Sequence, residues 1–151
     1  MSPAAPLPQG IECTTERGII SVSLAAAGAS GPLPAAWAQL LPNLTRLDLS
    51  DNNFTGPLPE EWSALGSLSI LGLRGSLKAV PEGGWSLPAS WGAMTNLSDL
   101  DLSHNGLKGV LPEEWSGMKV WRRVFWEGMS LLSSHGRRRW VEAMRAEFQW
   151  M

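Results

Sequence analysis

The heptad Gly56-Pro57-Leu58-Pro59-Glu60-Glu61-Trp62 returns 53 positions later as Gly109-Val110-Leu111-Pro112-Glu113-Glu114-Trp115, with one letter changed. A string written twice is either a chemical motif or one unit of a stacked scaffold, and a scaffold requires further copies in register. Those copies exist. Leu44, Leu47, Leu49, Asn52, Phe54, Gly56, Leu58, Pro59, Trp62 and Leu65 recur as Leu97, Leu100, Leu102, Asn105, Leu107, Gly109, Leu111, Pro112, Trp115 and Met118. Between them lie Leu68, Leu71, Leu73, Ser76, Leu87, Pro88, Trp91 and Met94, with five extra residues around "AVPEGGW". Upstream stand Ile19, Val22, Leu24, Ala27, Ala29, Gly31, Leu33, Pro34, Trp37 and Leu40. The result is four copies spaced 25, 24 and 29 residues apart.

Each slot has a physical reason. In Leu47-Asp48-Leu49 and Leu100-Asp101-Leu102, alternation sends leucines inward and aspartates outward, as a half-buried strand requires. Asp48, read as outward, is expected to tolerate alanine within about ±0.5 kcal/mol. Asn52 and Asn105 follow the strand where the chain turns, and a buried Asn there can bond backbone groups that no ladder satisfies. Gly31, Gly56 and Gly109 suit bends with unusual dihedrals. Pro34, Pro59, Pro88 and Pro112 suit the start of a short helical turn, where a missing N–H costs little. Trp62 then falls one turn along, on the same side as Leu65. Burying one Trp removes about 150–250 Å² from water, an upper bound of roughly 4–6 kcal/mol gross per rung. The four slot tryptophans are therefore read as core, whereas Trp85, Trp121, Trp126, Trp140 and Trp150 fall outside the slot.

The frame LxxLxLxxNxLxGxLPxxWxxL resembles the plant-type leucine-rich repeat over residues 19–118. Trp where that form usually has Leu is similar to variants in green-algal proteins and trypanosomatid surface antigens. The resemblance implies an α/β fold: a short right-handed leucine-rich-repeat solenoid, with one parallel strand per repeat on the concave face and short helical turns on the convex side. Residues 10–18, "GIECTTERG", resemble the close of the cysteine-paired cap that precedes such repeats. In that family the cap cysteine pairs upstream, and this sequence offers Cys13 no second cysteine. Two readings stay open: an ordinary buried cysteine, or a piece of an exported protein.

Residues 1–9 form a Pro/Ala-rich start expected to be disordered, and "MSPAAPLPQG" has neither the basic nor the apolar region of a signal peptide. No stretch reaches the apolar length of a membrane span. Charge divides the chain near residue 118: residues 1–118 hold 5 basic and 11 acidic side chains, residues 119–151 hold 7 and 3. In the second part Trp121, Val124 and Trp126 take the first slots of a degenerate fifth repeat, with Met129 in the Asn slot. Residues 137–151 read as a basic amphipathic helix on Trp140, Met144 and Phe148. It is either a cap on the last rung, as solenoids need, or an unrelated tail. Asn43, Asn53 and Asn96 open Asn-x-Ser/Thr sequences, which fit export.

No enzyme emerges. Glu60-Glu61 and Glu113-Glu114 recur because the repeat recurs, and adjacent residues at a helix start diverge. His104 and His135 lack metal-ligand spacing, His104 being read as an exposed turn residue. There is no phosphate-binding Gly loop, GxSxG or HExxH, and no cofactor is expected. What remains is the surface that the resemblance assigns to partner binding: Arg46, Asp48 and Ser50; Ile70, Gly72 and Arg74; Asp99, Asp101 and Ser103, with Ser21, Ser23 and Ala25 beginning the row. Mixed charge there excludes a nucleic-acid groove, which would be basic throughout. The expectation is a monomeric, non-catalytic module for a protein or peptide partner. The alternatives are a truncated ectodomain of a receptor or surface protein, or a structural scaffold segment. The parent is read as secreted or cell-surface, with a cytoplasmic, cytoskeletal or ciliary-axoneme location as the alternative.

Overall fold

The computed structural model describes residues 10–14, 16, 18–78, 85–109, 112–118, 123–125 and 130–131. The expected disordered start, the extra segment at 79–84 and the helix expected over 137–151 lie outside the described residues.

Short extended segments follow one another along the chain: β1 (Ile11–Thr14), β2 (Gly18–Ser23), β3 (Ser30–Pro32), then a single-turn helix α1 (Trp37–Leu40). Next come β4 (Arg46–Asp48), β5 (Asn53–Thr55), β6 (Ile70–Gly72), β7 (Asp99–Asp101), β8 (Lys108–Gly109), β9 (Arg123–Phe125) and β10 (Ser130–Leu131). The main sheet runs β1-β2-β4-β6-β7-β9. All neighbours in it are parallel except β1, which folds back antiparallel on β2 and covers the first edge. Register is the same at every step: Val22, Leu47, Leu71, Leu100 and Val124 stand in one row. The pairing continues past the strands, as Leu49 N–H donates to Gly72 and Leu73 N–H to Asp101. A one-residue slip would turn every leucine outward. Instead Leu44, Leu47, Leu49, Leu68, Leu71, Leu73, Leu97, Leu100 and Leu102 are fully buried.

After each strand the chain turns inward through a residue in the left-handed region: Ala26, Asp51, Gly75 and His104, with φ of 53°, 55°, 56° and 58°. The Asn slot comes next and behaves as its chemistry requires. Asn52 donates through Nδ2 to the carbonyls of Leu49 and Leu24 and accepts from Ala29 N–H at 2.9 Å. Asn105 donates to Leu102 and Leu73 and accepts from Ser76 and Leu77 N–H, both at 2.8 Å. Each satisfies backbone groups of its own turn and of the preceding rung. In the third copy Ser76 substitutes a single hydroxyl bond to the Leu49 carbonyl, while in the first copy Ala27 is exposed and bonds nothing by its side chain. Beyond the turn β3 pairs with β5, and Phe54 bridges onward to Leu77, so a second, narrower ladder runs beside the first.

The opposite side carries the helical turns. Pro59, Pro88 and Pro112 cap 3₁₀ helices at Glu60–Ala64, Ala89–Ala93 and Glu113–Gly117. Trp62, Trp91 and Trp115 are buried there and stack, with ring centroids 6.1 and 6.2 Å apart and planes within 12°. Their indole N–H groups are not wasted. Trp62 donates to the Pro34 carbonyl at 3.1 Å, Trp91 to Pro59 at 2.8 Å and Trp115 to Pro88 at 2.9 Å. Each of those carbonyls also accepts the N–H of the Trp in its own turn, using both lone pairs.

The first rung corrects the slot assignment made from sequence. Leu40, placed in the core slot, is 71% exposed, and Trp37 is only half-buried. Leu33 to Leu44 spans 11 residues, against 10 from Leu58 to Leu68 and from Leu87 to Leu97. The extra residue fits by winding the turn as α-helix: Leu41 N–H reaches back four residues to Trp37, whereas Leu65 N–H reaches three to Trp62. Leu41 then takes the place that Leu65 takes next door, each accepting from the leucine three residues on, and Leu40 is turned out to solvent.

Candidate functional site

Parallel pairing without slip converts three sequence positions into three straight rows on the outer face of the main sheet. Ser21, Arg46, Ile70 and Asp99 form the first. Ser23, Asp48, Gly72 and Asp101 form the second. Ala25, Ser50, Arg74 and Ser103 continue the third just past the strands. Strands in such a sheet lie about 4.8 Å apart, so row neighbours are within side-chain reach. All nine residues singled out from sequence are therefore brought together on one face.

Their environments differ. Arg46 and Arg74 are exposed; Ile70, Gly72, Asp99, Asp101 and Ser50 are half-buried. Arg46 Nη2 stands 3.6 Å from Asp48 Oδ2, with side-chain exposures of 47% and 23%. An ion pair that open contributes at most about 1 kcal/mol. Asp48 Oδ1 accepts Ser50 N–H at 3.2 Å, and Asp101 Oδ1 accepts Ser103 N–H at 3.0 Å and Ser103 Oγ–H at 2.5 Å. Ser98 Oγ–H donates to Asp99 Oδ2 at 2.8 Å.

Asp48 stays on the outer face with a second task in the turn, whereas the burial of Ser103 corrects its reading as a surface residue. Asp48 and Asp101 each cap the turn two residues on, a local side-chain bond that holds the chain as it leaves the strand. Ser103 is buried, as is Ser21. The signal was present in the sequence, because "LDLS" occurs in both of the clearest copies. The third copy reads Leu71-Gly72-Leu73-Arg74 and has no such cap.

The missing side chain at Gly72 has a consequence. A Cβ there would sit 2.8 Å from Asp48 Oδ1 and 3.0 Å from Ser50 Oγ. The Asp48 carboxylate leans over the glycine, and a depression of about 170 Å³ opens beside it. Asp48, Ser50, Ile70, Gly72, Asp99 and Asp101 line it, above Leu71 and Leu100. Three carboxylates and one aliphatic side chain thus surround a backbone floor. Such a surface can hold a side chain with an apolar stem and a cationic end.

The other candidates disperse. Glu60, Glu61, Glu113 and Glu114 are exposed on the far side from the rows. His104 is exposed in the left-handed turn slot, as the turn reading requires. His135 lies outside the described residues. Among the described residues no group of three or more His, Cys, Asp or Glu side chains is placed to hold a metal ion. Cys13 is exposed and unpaired on β1, which overturns the buried-cysteine reading. Among them, too, no helix is long and apolar enough to cross a membrane. Trp85, unexplained by the slot, packs half-buried against the core with a buried indole N–H that has no hydrogen-bond partner among the described residues.

Comparison with known proteins agrees with this architecture. Residues 43–65 and 96–118 match the family model described as Leucine Rich Repeat. The calmodulin-binding receptor kinase CaMRLK of Arabidopsis thaliana is 40% identical over a region covering 46% of this chain and 14% of the kinase. Among solved structures, a chain of the BIR3–SERK2 complex from Arabidopsis thaliana aligns at a TM-score of 0.72 with 32% identity, covering 83% of this chain and 65% of that one. A plant ice-binding protein aligns at 0.67 with 30% identity, covering 82% of this chain and 39% of its own. This chain spans about a seventh of the receptor kinase it resembles. With four rungs in one register, the Asn-slot bonds and these matches, the chain is a leucine-rich-repeat protein of the plant type.

Proposed function

We propose that this chain is a non-catalytic module that binds a protein or peptide through the concave strand face. One observation carries the reading: the row Arg46, Ile70, Asp99 holds a different chemistry at each rung, directly above leucines that never change. Positions fixed by packing repeat; positions free of packing have diverged. The likeness to a chain of a two-protein complex supports a protein-sized partner. The open, shallow form of the Gly72 depression favours a side chain of such a partner over an enclosed small molecule. Two arginines and three aspartates on the face favour a partner of mixed charge, with a basic side chain over Gly72.

The likeness to a receptor kinase supports a cell-surface parent, of which this chain would be an ectodomain segment. Within it residues 10–18 serve as the cap remnant and 19–118 as the binding array, the module acting as a monomer. A peptide-display library selected on the folded chain tests the site. Clones enriched on the wild type should lose at least tenfold in affinity for a variant carrying Arg46→Gln, Asp48→Asn, Arg74→Gln and Asp101→Asn. These changes remove charge while keeping the acceptors that cap the turns. Equal affinity for both proteins would remove the concave face from the proposal.

A further inference from the structure

The third rung is where the chain departs from its own frame. In the second outward row Asp48, Gly72 and Asp101 stand on adjacent strands, so a position without a side chain lies between two carboxylates. In the third row Arg74 stands between Ser50 and Ser103. Packing requires neither change, because Leu71 and Leu73 beneath are buried as fully as Leu47, Leu49, Leu100 and Leu102.

We infer that the gap over Gly72 recognises one arginine side chain, carried on a partner segment whose neighbouring residues are acidic. The assignment rests on the concave strand face being the binding surface, and it adds which residue enters and how it lies. Ile70 and Gly72 are two residues apart on one face of β6, about 6.6 Å. An arginine laid along that strand puts its methylene stem on half-buried Ile70 and its head over the glycine floor. The head then meets Asp48 from one side and Asp101 from the other, each strand being about 4.8 Å away.

The chemistry of the gap selects arginine over lysine. Both flanking carboxylates are held by the turns they cap, Asp48 Oδ1 by Ser50 N–H and Asp101 Oδ1 by Ser103 N–H. Asp101 Oδ2 has no hydrogen bond among the described residues, and Asp48 Oδ2 has there the loose 3.6 Å contact with exposed Arg46. One oxygen on each side of the gap therefore remains to accept. A guanidinium carries five N–H donors fixed in one plane and can serve both sides at once, whereas an ammonium is a compact, strongly hydrated point. Glycine leaves the room for it, since a Cβ at position 72 would stand 2.8 Å from Asp48 Oδ1.

Arginines surround this acidic centre. Arg46 precedes Asp48 by two residues on β4, Arg74 follows Gly72 by two, and the register places Arg123 next to Asp99 in the first row. A second basic residue on the partner would meet like charge there, and a carboxylate would be attracted. At about 3.3 Å per residue, partner positions two or three away from the seated arginine cover the one to two strand spacings to Arg46 and Arg123. The partner segment is thus a lone arginine with Asp or Glu within three positions.

The test selects two peptide-display libraries on the full chain, identical except for a fixed central arginine or a fixed central lysine. The arginine library should give clones at least fivefold tighter, with Asp or Glu enriched within three positions of the centre. Against such a clone Gly72→Ala should weaken binding at least tenfold. Changing the clone's arginine to lysine should then cost at least fivefold on the wild type and under twofold on Gly72→Ala. Asp101→Asn, which keeps the acceptor for Ser103, should weaken the same clone at least fivefold and serves where Gly72→Ala folds poorly. Equal affinities from the two libraries, or no clone from either, overturn the inference. Clones that lose the variant carrying Arg46→Gln, Asp48→Asn, Arg74→Gln and Asp101→Asn, yet bind Gly72→Ala and Asp101→Asn undiminished, overturn the arginine site and leave the concave face standing. Clones that bind the four-residue variant as tightly as the wild type overturn both.

Discussion

The two sides of this solenoid use the repeat in opposite ways. On the turn side Trp62, Trp91 and Trp115 hold one residue type in one slot, and each makes the same three contacts: burial, a stacked neighbour and an N–H bond to the proline carbonyl one rung back. On the strand side Arg46, Ile70 and Asp99 hold one slot with three chemistries, and the one ion pair described on that face is loose and exposed. Where a side chain must meet its own equivalent on the next rung, divergence costs packing on both sides at once. Where it meets water, divergence costs little and becomes available for recognition. The same register that makes the back wall uniform makes the front face a graded surface.

The contrast is broken most directly at the back wall. Trp62→Ala should lower unfolding free energy by about 3–5 kcal/mol, as large-to-small core changes do, and chemical denaturation would measure it. Trp37→Ala, at a half-buried position outside the described stack, should cost less than half as much. Equal losses would mean that the ladder adds nothing beyond area.

Rung spacing offers a second cut. A Cβ on Gly92 would stand 2.5 Å from the Glu114 carbonyl oxygen, a backbone atom of the next rung. Gly92→Ala should therefore destabilise by about 1–3 kcal/mol, in the range of overpacking. A thermal melt unchanged from wild type would show that the rungs can spread.

Trp91→Phe isolates the hydrogen bond. It keeps an aromatic ring in the stack and deletes the donor to Pro59, for an expected loss of about 1–2 kcal/mol. The Pro59 carbonyl keeps its bond from Trp62 N–H, which limits the penalty.

The smallest effects belong to the front face, and they separate its members. Asp101→Ala removes the cap on Ser103 and should cost about 1 kcal/mol, while Asp101→Asn retains an acceptor and should cost less. Arg74→Ala should stay within about ±0.5 kcal/mol. If Arg74→Ala destabilised as much as Asp101→Ala, the strand face would be structural throughout.

Much of this was legible in the chain itself. Leucines spaced two and three apart, with Asn after them, state which side chains face inward, because strand alternation leaves no other arrangement. The tryptophans were legible only as apolar bulk. Their donors meet carbonyls 27 to 32 residues away, and a backbone carbonyl leaves no mark in a sequence. The first rung shows a subtler limit. Its 25-residue spacing was plain, but one extra residue can lengthen a loop or rewind a helix, and only the hydrogen bonds of Leu41 decide that Leu40 is turned out. On the candidate site, register gave the membership of the rows. Alternation could not distinguish Asp48 and Asp101, which cap their own turns, from Arg74, which has no such task. Gly72 was named for its place in the row, and its role as the floor beneath a leaning carboxylate needed the neighbouring strand.

The division of labour between the two sides is tested most directly by measuring affinity and melting temperature together, for one selected peptide. Two proteins are compared with the wild type: Trp91→Phe, and the variant carrying Arg46→Gln, Asp48→Asn, Arg74→Gln and Asp101→Asn. The account predicts that Trp91→Phe melts several degrees lower, as a loss of about 1–2 kcal/mol implies for a chain this size, yet binds the peptide within twofold below its melt. The front-face variant should melt within about two degrees of wild type and lose binding at least tenfold. Undiminished binding by the front-face variant, or its loss in folded Trp91→Phe, would contradict it.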